Sequence, residues 1–401
     1  SMAADIHARE HVVQGRMAVD ADGRITAFDI RDLHGIGAYS VYPRSSTMET
    51  VMALRPIGAA YGFQAFRAHA DVVLQNKAMT GQYRSVGHPI ATTVTERLVD
   101  RAAAQLGVDP LAFRLANYVR PEDMPLTNPL GLRLLDLSHA ACLARLEDLI
   151  GYGELRHDIA RRRTQETLVG LGFAAFVEMT ASGAEAYGRA GVPVAAIDTV
   201  TLALEPDGSI KAGASLSELG QGTGQGLVQI LADGVGLAAE RIRLTLGDTE
   251  LTPHGGGAWA SRGIAIGGEA AWGAAQKLRS SILETAAALL QAEPATLAIV
   301  DGAIVDSTGT ARLTLKELAE IVIFRGYELP DGLQPQLNVA HTYRRERDAA
   351  IPTNGIQASL VEVDTATGIV RCVQHWVVED CGRIVNPLLV DEQIRGGVVQ
   401  G

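Results

Sequence analysis

In three well-separated places apolar and polar positions alternate with a period of two, and each time an acidic residue and a glycine break the alternation. The first lies at residues 17–25 with Asp22-Gly23 at its turn, the second at 202–210 with Asp207-Gly208, and the third at 361–370 with Thr367-Gly368. Alternation buries one face of a strand, and glycine supplies the positive φ of a tight turn, so each copy predicts an antiparallel hairpin. Between the hairpins the apolar period lengthens to that of a helix. Residues 91–106 predict a helix stopped by Gly107, and Asp109-Pro110 then caps a second helix to Asn117. Ser138 opens another to about residue 150, residues 268–291 form a long Ala-rich helix, and Thr314 with Glu317 makes a capping box. Hairpins with interspersed helices predict an α+β fold. The charged stretch 156–163 predicts the join between two lobes built from repeated hairpin and helix units, 1–165 and 166–401, unless it is a solvated helix face.

Composition narrows the classes. A chain of 401 residues, 47% hydrophobic, exceeds one simple domain. Its net charge of −11 repels nucleic acid and anionic lipid, so neither is an expected partner. Cys142, Cys372 and Cys381 are too far apart for an iron–sulfur nest, and none of the ten histidines falls at a metal-ligand spacing, so no protein-ligated metal is expected. No apolar run reaches the roughly 18 residues of a membrane helix, and no signal peptide opens the chain, which predicts a cytoplasmic protein.

The most informative segment for chemistry is 218–226, Glu218-Leu219-Gly220-Gln221-Gly222-Thr223-Gly224-Gln225-Gly226, leading into a helix. Its glycines let backbone amides approach an anion, and the helix N-terminus favours one, which points to a phosphate-bearing cofactor. A dinucleotide-binding turn fits the glycine spacing loosely, and a loop that binds nothing also fits. The preceding residues 214–218 are polar for the first strand of a parallel sheet.

Together with three further segments, this loop resembles the molybdopterin-binding subunits of the xanthine dehydrogenase and aldehyde oxidase type molybdenum hydroxylases. Residues 218–222 resemble their E-x-GQG loop, with Gln221 as the cofactor-binding glutamine. Tyr83-Arg84-Ser85-Val86-Gly87-His88-Pro89 resembles YRGxGxP, and residues 106–117 fit LGxDPxxxRxxN. Gly247-Asp248-Thr249, Thr252-Pro253 and Ala260-Ser261-Arg262-Gly263 resemble GDT, TP and GSR, while residues 380–397, including Gln393, resemble DCGxxxNPxxxxGQxxGG. The departures, Ser85, Val86, His88 and Ile90, cluster in the arginine loop and leave the substrate more open than the cofactor; Glu392 replaces the glycine usual before Gln393.

The resemblance implies hydroxylation of an aldehyde or an N-heterocycle with water as the oxygen source. It implies a molybdenum–molybdopterin cofactor in the cytosine dinucleotide form, bound by Leu219, Gly220, Gln221, Ala260, Ser261, Arg262, Gly263 and Gln393. Arg84 is the candidate catalytic residue, stabilising charge on the substrate, with a structural ion pair as its other reading. Iron–sulfur clusters and FAD would lie on partner subunits, in a dimer of heterotrimers. The family's GGxFGxK loop and its GxGE loop, which carries the catalytic glutamate, are not found among these residues, so the chain alone is expected to lack cofactor and activity. Two other classes are a non-catalytic cofactor-binding or assembly protein and a nucleotide-dependent dehydrogenase, the latter opposed by the three hairpins.

Overall fold

The computed structural model describes residues 5–164, 168–182, 192–345 and 350–401. In chain order, β1 (His11–Val19) and β2 (Ile25–Ile36) form the first hairpin. Its turn is closed by Asp20, whose Oδ1 accepts from the amides of Asp22 and Arg24, and by Gly23 at φ 78°. After α1 (Met48–Leu54), β3 (Ala65–Leu74) adds parallel to β2. Then follow α2 (His88–Leu106) and α3 (Pro110–Asn117), the short pair β4 (Leu126–Thr127) and β5 (Arg133–Leu134), α4 (His139–Ile150), α5 (Tyr152–Thr164) and β6 (Leu168–Thr180). The charged stretch is thus the last part of a helix, the solvated-face reading.

The next elements are β7 (Ile197–Leu204) and β8 (Ile210–Ala214), the second hairpin, then α6 (Thr223–Val235) and β9 (Ile242–Leu246). A π turn, Gly263–Gly267, leads into α7 (Gly268–Leu290). A small meander follows, β10 (Ala298–Val300), β11 (Ala303–Val305) and β12 (Ala311–Thr314), then α8 (Leu315–Phe324), capped by Thr314 and Glu317 as expected, and β13 (Asn338–Arg344). The third hairpin is β14 (Ile351–Val363) with β15 (Val370–Asp380), and α9 (Pro387–Gln400) comes last.

Two units result, one of residues 1–180 with 349–382, the other of residues 181–348 with 383–401. This departs from the two contiguous lobes that the charged stretch suggests. β14 pairs along its whole length with β6, from Ile351↔Thr180 to Val363↔Leu168, and so returns the third hairpin to the first unit. Long-range strand pairing leaves no local mark in sequence.

In the first unit Phe28, Ile30, Tyr61, Val99, Leu143 and Ile356 belong to one buried cluster. The 106–117 motif does structural work there. Asp109 caps α3 by accepting from the amides of Leu111 and Ala112. Asn117 accepts from the Ile25 amide at 2.9 Å and donates to the Gly23 carbonyl at 3.0 Å, which ties the helix to the first hairpin turn. Arg114, fully buried, donates to Glu96 at 2.8 Å, Asp100 at 2.7 Å and the Phe173 carbonyl at 3.2 Å. Glu96 also accepts from the Tyr61 hydroxyl at 2.6 Å.

In the second unit the mixed sheet runs β13-β7-β8-β9, with β8 and β9 parallel and α6 as their crossover. The core is an alanine seam of α7 (Ala270, Ala271, Ala274, Ala275) against Leu227 and Leu231 of α6. A Cβ on Gly234 would lie 2.6 Å from the Ala275 Cβ, so the two helices approach at a point where only glycine fits.

Candidate functional site

The second unit brings the cofactor-binding candidates together at the N-terminal end of α6. The loop 217–222 lies beside the loop 257–264. A Cβ on Gly263 would come 3.0 Å from Thr223 Oγ1, one on Gly226 2.7 Å from Ile264 Cδ1, and one on Gly257 4.0 Å from Ser217 Oγ. From the other side α9 is seated on the same loop. Leu389 covers Gly222, where a Cβ would lie 2.5 Å from Leu389 Cδ2, and Asn386 donates to Gln229 at 2.9 Å. Gln393 follows Leu389 by four residues, one turn along α9 on the same helix face. Leu219, Gly220, Gln221, Ala260, Ser261, Gly263 and Gln393 thus all lie on elements that meet at one place.

The glycine amides are not free for a phosphate, contrary to the anion-cradle expectation. Glu218 folds its carboxylate back over the loop. Oε1 accepts from the amides of Leu219, Gly220 and Gly222 at 3.0–3.1 Å, and Oε2 from Gly224 at 2.9 Å. Burial alone would push this carboxyl up, but the amides of Gly224, Gly222, Gly220 and Leu219 outweigh it and hold the carboxyl below its ordinary value. The anion in the nest belongs to the protein itself, and it fixes the loop that presents Gln221. Gln221 is braced in turn, its Oε1 accepting from the Leu219 amide at 2.6 Å and its Nε2 donating to the Ser217 carbonyl at 3.3 Å.

Arg262 is likewise committed inside the protein. It is 2% exposed, lies 2.8 Å from Asp198 Oδ2, and donates to Asp198 Oδ1 at 3.2 Å and to the carbonyls of Gly257 and Ile197 at 2.9 and 3.1 Å. Asp198 is fully buried and takes a further hydrogen bond from Ser215 Oγ at 2.9 Å. Burial pushes the Asp198 carboxyl up, and Arg262 pulls it back. Above this pair Ala260 and Ser261 both take left-handed backbone, φ 47° and 52°. Two successive non-glycine residues of this kind store strain that the surroundings must hold.

The donor set fits a polar cofactor. Among the described residues Gln221 keeps an unused amide hydrogen and an unused lone pair, Gly220 has open space where a Cβ would stand, and Ser261 is exposed. The site is therefore built to be lined by backbone and amide groups, with both of its charged side chains, Glu218 and Arg262, spent on shaping it.

Arg84 lies in the first unit, exposed, on the loop that opens α2. The loop is closely determined. Ser85 and Val86 take positive φ of 64° and 48°, and Arg9 binds the carbonyls of Arg84 and Val86. Gly87 is seated where a Cβ would lie 2.1 Å from the Ala53 amide nitrogen. His88, a departure from the family pattern, is a buried clamp. Its Nδ1 donates to the Ser85 carbonyl at 2.8 Å, and its Nε2 accepts the Met179 amide at 3.2 Å. That pattern requires the neutral ring, and burial lowers its pKa to about 4.

Beside His88, at 3.7 Å, stands Glu178 of β6, which the sequence alone did not single out. Burial pushes its carboxyl up to about 8, against smaller opposing effects of a Ser85 hydrogen bond and Arg9. Glu379 of β15 is raised by its own burial and by Glu178. Between pH 4.5 and 8 the folded chain therefore keeps a proton at Glu178 that the unfolded chain has released, so this group makes stability fall as pH rises through that window. Glu178→Gln should remove that part of the slope, at most roughly 1.4 kcal/mol for each pH step of one across the window, reduced by the 24% of the side chain that meets solvent. Urea midpoints of variant and parent should coincide near pH 5 and separate in the variant's favour towards pH 8. Parallel curves would mean that Glu178 ionises normally.

The first unit also contains a cluster that sequence spacing did not suggest, because its members come from three elements. His11 and His34 face each other across the β1–β2 register, their rings stacked at 4.0 Å, and Glu49 of α1 closes over them. Desolvation lowers the His34 pKa to about 4.

A glycine-bearing loop at a crossover helix, with a left-handed loop and an inward arginine beside it, makes the second unit a candidate binding unit. Models of the molybdopterin cofactor-binding domain match residues 1–118 and 145–401, and the chain belongs to that family. It is 31% identical over its whole length to the nicotine 6-hydroxylase large subunit of Paenarthrobacter nicotinovorans and 28% identical over 98% of its length to the carbon monoxide dehydrogenase large chain of Hydrogenophaga pseudoflava. The fold matches quinoline 2-oxidoreductase of Pseudomonas putida 86 with a TM-score of 0.92 and 32% identity, covering 99% of this chain and 50% of that one. The chain spans about half the length of the curated relatives it matches, 49% of each.

Proposed function

We propose that this chain is the molybdopterin-binding part of a molybdenum hydroxylase that oxidises an N-heterocycle or an aldehyde with water as the oxygen source. The observation that carries the reading is the meeting of Gln221, the 260–263 loop and α9 at the start of α6. An N-heterocycle is the preferred substrate class, because nicotine and quinoline stand in the names of two relatives above 30% identity. When bound, the molybdenum cofactor would supply the redox step, in which R–H and water give R–OH, two electrons and two protons.

This chain's own residues hold and orient. Gln221 offers its remaining amide hydrogen and lone pair to the pterin, the backbone of Ala260, Ser261 and Gly263 lines the adjacent wall, and Gln393 approaches from α9. Glu218 and Arg262 keep the two loops rigid without touching the ligand. Arg84 is a permanent cation suited to negative charge developing on a substrate. The cytosine dinucleotide form of the cofactor, iron–sulfur and FAD subunits as electron carriers, their pairing as a dimer of heterotrimers and a cytoplasmic location complete the proposal. The large-subunit names of the relatives and the three unpaired cysteines support it.

The test uses the whole protein with its partner subunits. Gln221→Ala should lower molybdenum content, since losing the braced amide costs about 1–3 kcal/mol, and it leaves the Leu219 amide to Glu218 alone. Arg84→Ala should lower turnover more than molybdenum content, read by metal analysis beside an assay with N-heterocycles and aldehydes. Unchanged molybdenum in the Gln221 variant would remove the assignment of that loop, and equal losses in the Arg84 variant would make Arg84 a cofactor-retention residue.

A further inference from the structure

The His11, His34 and Glu49 cluster is built as a ligand set. One ring nitrogen from each histidine and one carboxylate oxygen lie within 4.8 Å of one another. The side chains are 3%, 0% and 0% exposed. The other ring nitrogens are already engaged. His11 Nδ1 contacts both oxygens of the buried Asp32 carboxylate at 2.9 and 3.0 Å, and His34 Nδ1 contacts Thr50 Oγ1 at 2.8 Å. These contacts orient both rings and leave the two Nε2 atoms unengaged, with His34 Nε2 3.7 Å from Glu49 Oε2. Among the described residues neither Nε2 atom nor either Glu49 oxygen has a hydrogen-bond partner of good geometry, although all four are buried. Four buried polar atoms left together without hydrogen bonds carry a large desolvation cost unless something bridges them.

We propose that this cluster is a protein-ligated site for a divalent first-row ion, zinc above all, held by His11 Nε2, His34 Nε2 and Glu49. Two imidazoles and a carboxylate are a zinc donor set, and a carboxylate behind a ligating histidine is the outer-shell partner such rings use. The charge balance permits it. Glu49 and Asp32 offset the ion, and Arg9, 3.7 Å from Glu49 Oε1, is the one cation in contact with the carboxylate among the described residues. His11 also lines a surface groove of about 540 Å³ between β1 and α2, together with Arg9, Thr93, Arg97 and Arg101. The stacked rings, 12° from parallel, must splay on binding so that both Nε2 atoms aim at one point about 2.0–2.1 Å away. The arginines on the groove disfavour an approaching cation, so loading is slow and zinc competes with Arg9 for Glu49.

The experiment takes the full chain, stripped with a chelator, and titrates it with zinc and separately with cobalt(II). One zinc per chain and the intense visible absorption of low-coordinate cobalt are expected in the parent. Glu49→Gln and His34→Gln should each weaken zinc binding at least about tenfold, and Asp32→Asn by about 10–100-fold through the ring it orients. Arg9→Gln should tighten it, an outcome that a merely structural cluster would not produce. Circular dichroism identifies any variant that fails to fold, and Asp32→Asn and Arg9→Gln, which keep all three ligands, then decide. No zinc uptake by the folded parent, or equal uptake by parent and every folded variant, would overturn the proposal.

Discussion

Replacing Arg262 with methionine is expected to cost about 3–5 kcal/mol of stability, the range for removing one partner of a buried ion pair. Asp198 would keep Ser215 as a donor but lose the guanidinium that contacts both of its oxygens, and the carbonyls of Gly257 and Ile197 would lose theirs. The loop above depends on the same side chain, since Ala260 and Ser261 hold left-handed backbone only while 257–262 is pinned from below. Cofactor retention should therefore fall in Arg262→Met through the loop, since the guanidinium is committed to Asp198 and two carbonyls. Lysine should recover little, because a point charge cannot reach carboxylate and carbonyls in the fork geometry. Combining Arg262→Met with Asp198→Asn should restore part of the stability. A loss under about 1 kcal/mol in the single variant, read from urea midpoints, would show that the pair does not carry the loop.

The second large effect is expected at Arg114. Its guanidinium binds Glu96, Asp100, the Pro110 carbonyl and the Phe173 carbonyl, so it connects α2, α3 and β6. Burial pushes the Glu96 carboxyl up, and Arg114 is the chief influence holding it down. Arg114→Met keeps the aliphatic bulk beside Phe173 and leaves Glu96 with only Tyr61 and a backbone amide, at a cost of about 3–5 kcal/mol. The loss should be smallest at low pH, where Glu96 protonates. A denaturation series from pH 5 to 8 checks this, and a loss independent of pH would assign the cost to packing instead.

What could be read from the sequence was what short segments decide for themselves. The hairpin turns at Gly23, Gly208 and Gly368, the capping box at Thr314 and the span of α3 follow from turn chemistry, caps and period. The resemblance motifs point to loops that the fold brings together, but their residue types do not reveal how each side chain is oriented. Arg262, a cofactor contact by resemblance, has its guanidinium buried against Asp198, and the glycine amides expected to hold phosphate are taken by Glu218. Those outcomes depend on partners far away in sequence, 64 residues in the case of Arg262 and Asp198. The same reason hides the parallel pairs β2–β3 and β8–β9, the discontinuous first unit, and His11 beside His34, whose meeting is set by strand register.

The return of β14 to β6 also bears on how the chain emerges from the ribosome. β6 is finished at Thr180, yet its partner begins at Ile351, about 170 residues later. At roughly 5–20 residues per second, that strand waits on the order of ten to thirty seconds with its pairing edge open. The second unit's sheet β13-β7-β8-β9, by contrast, draws all its strands from within that interval. Synthesis order therefore lets the second unit complete its four-stranded sheet before the first unit can complete the sheet β15-β14-β6, and leaves the edge of β6 in need of cover during translation.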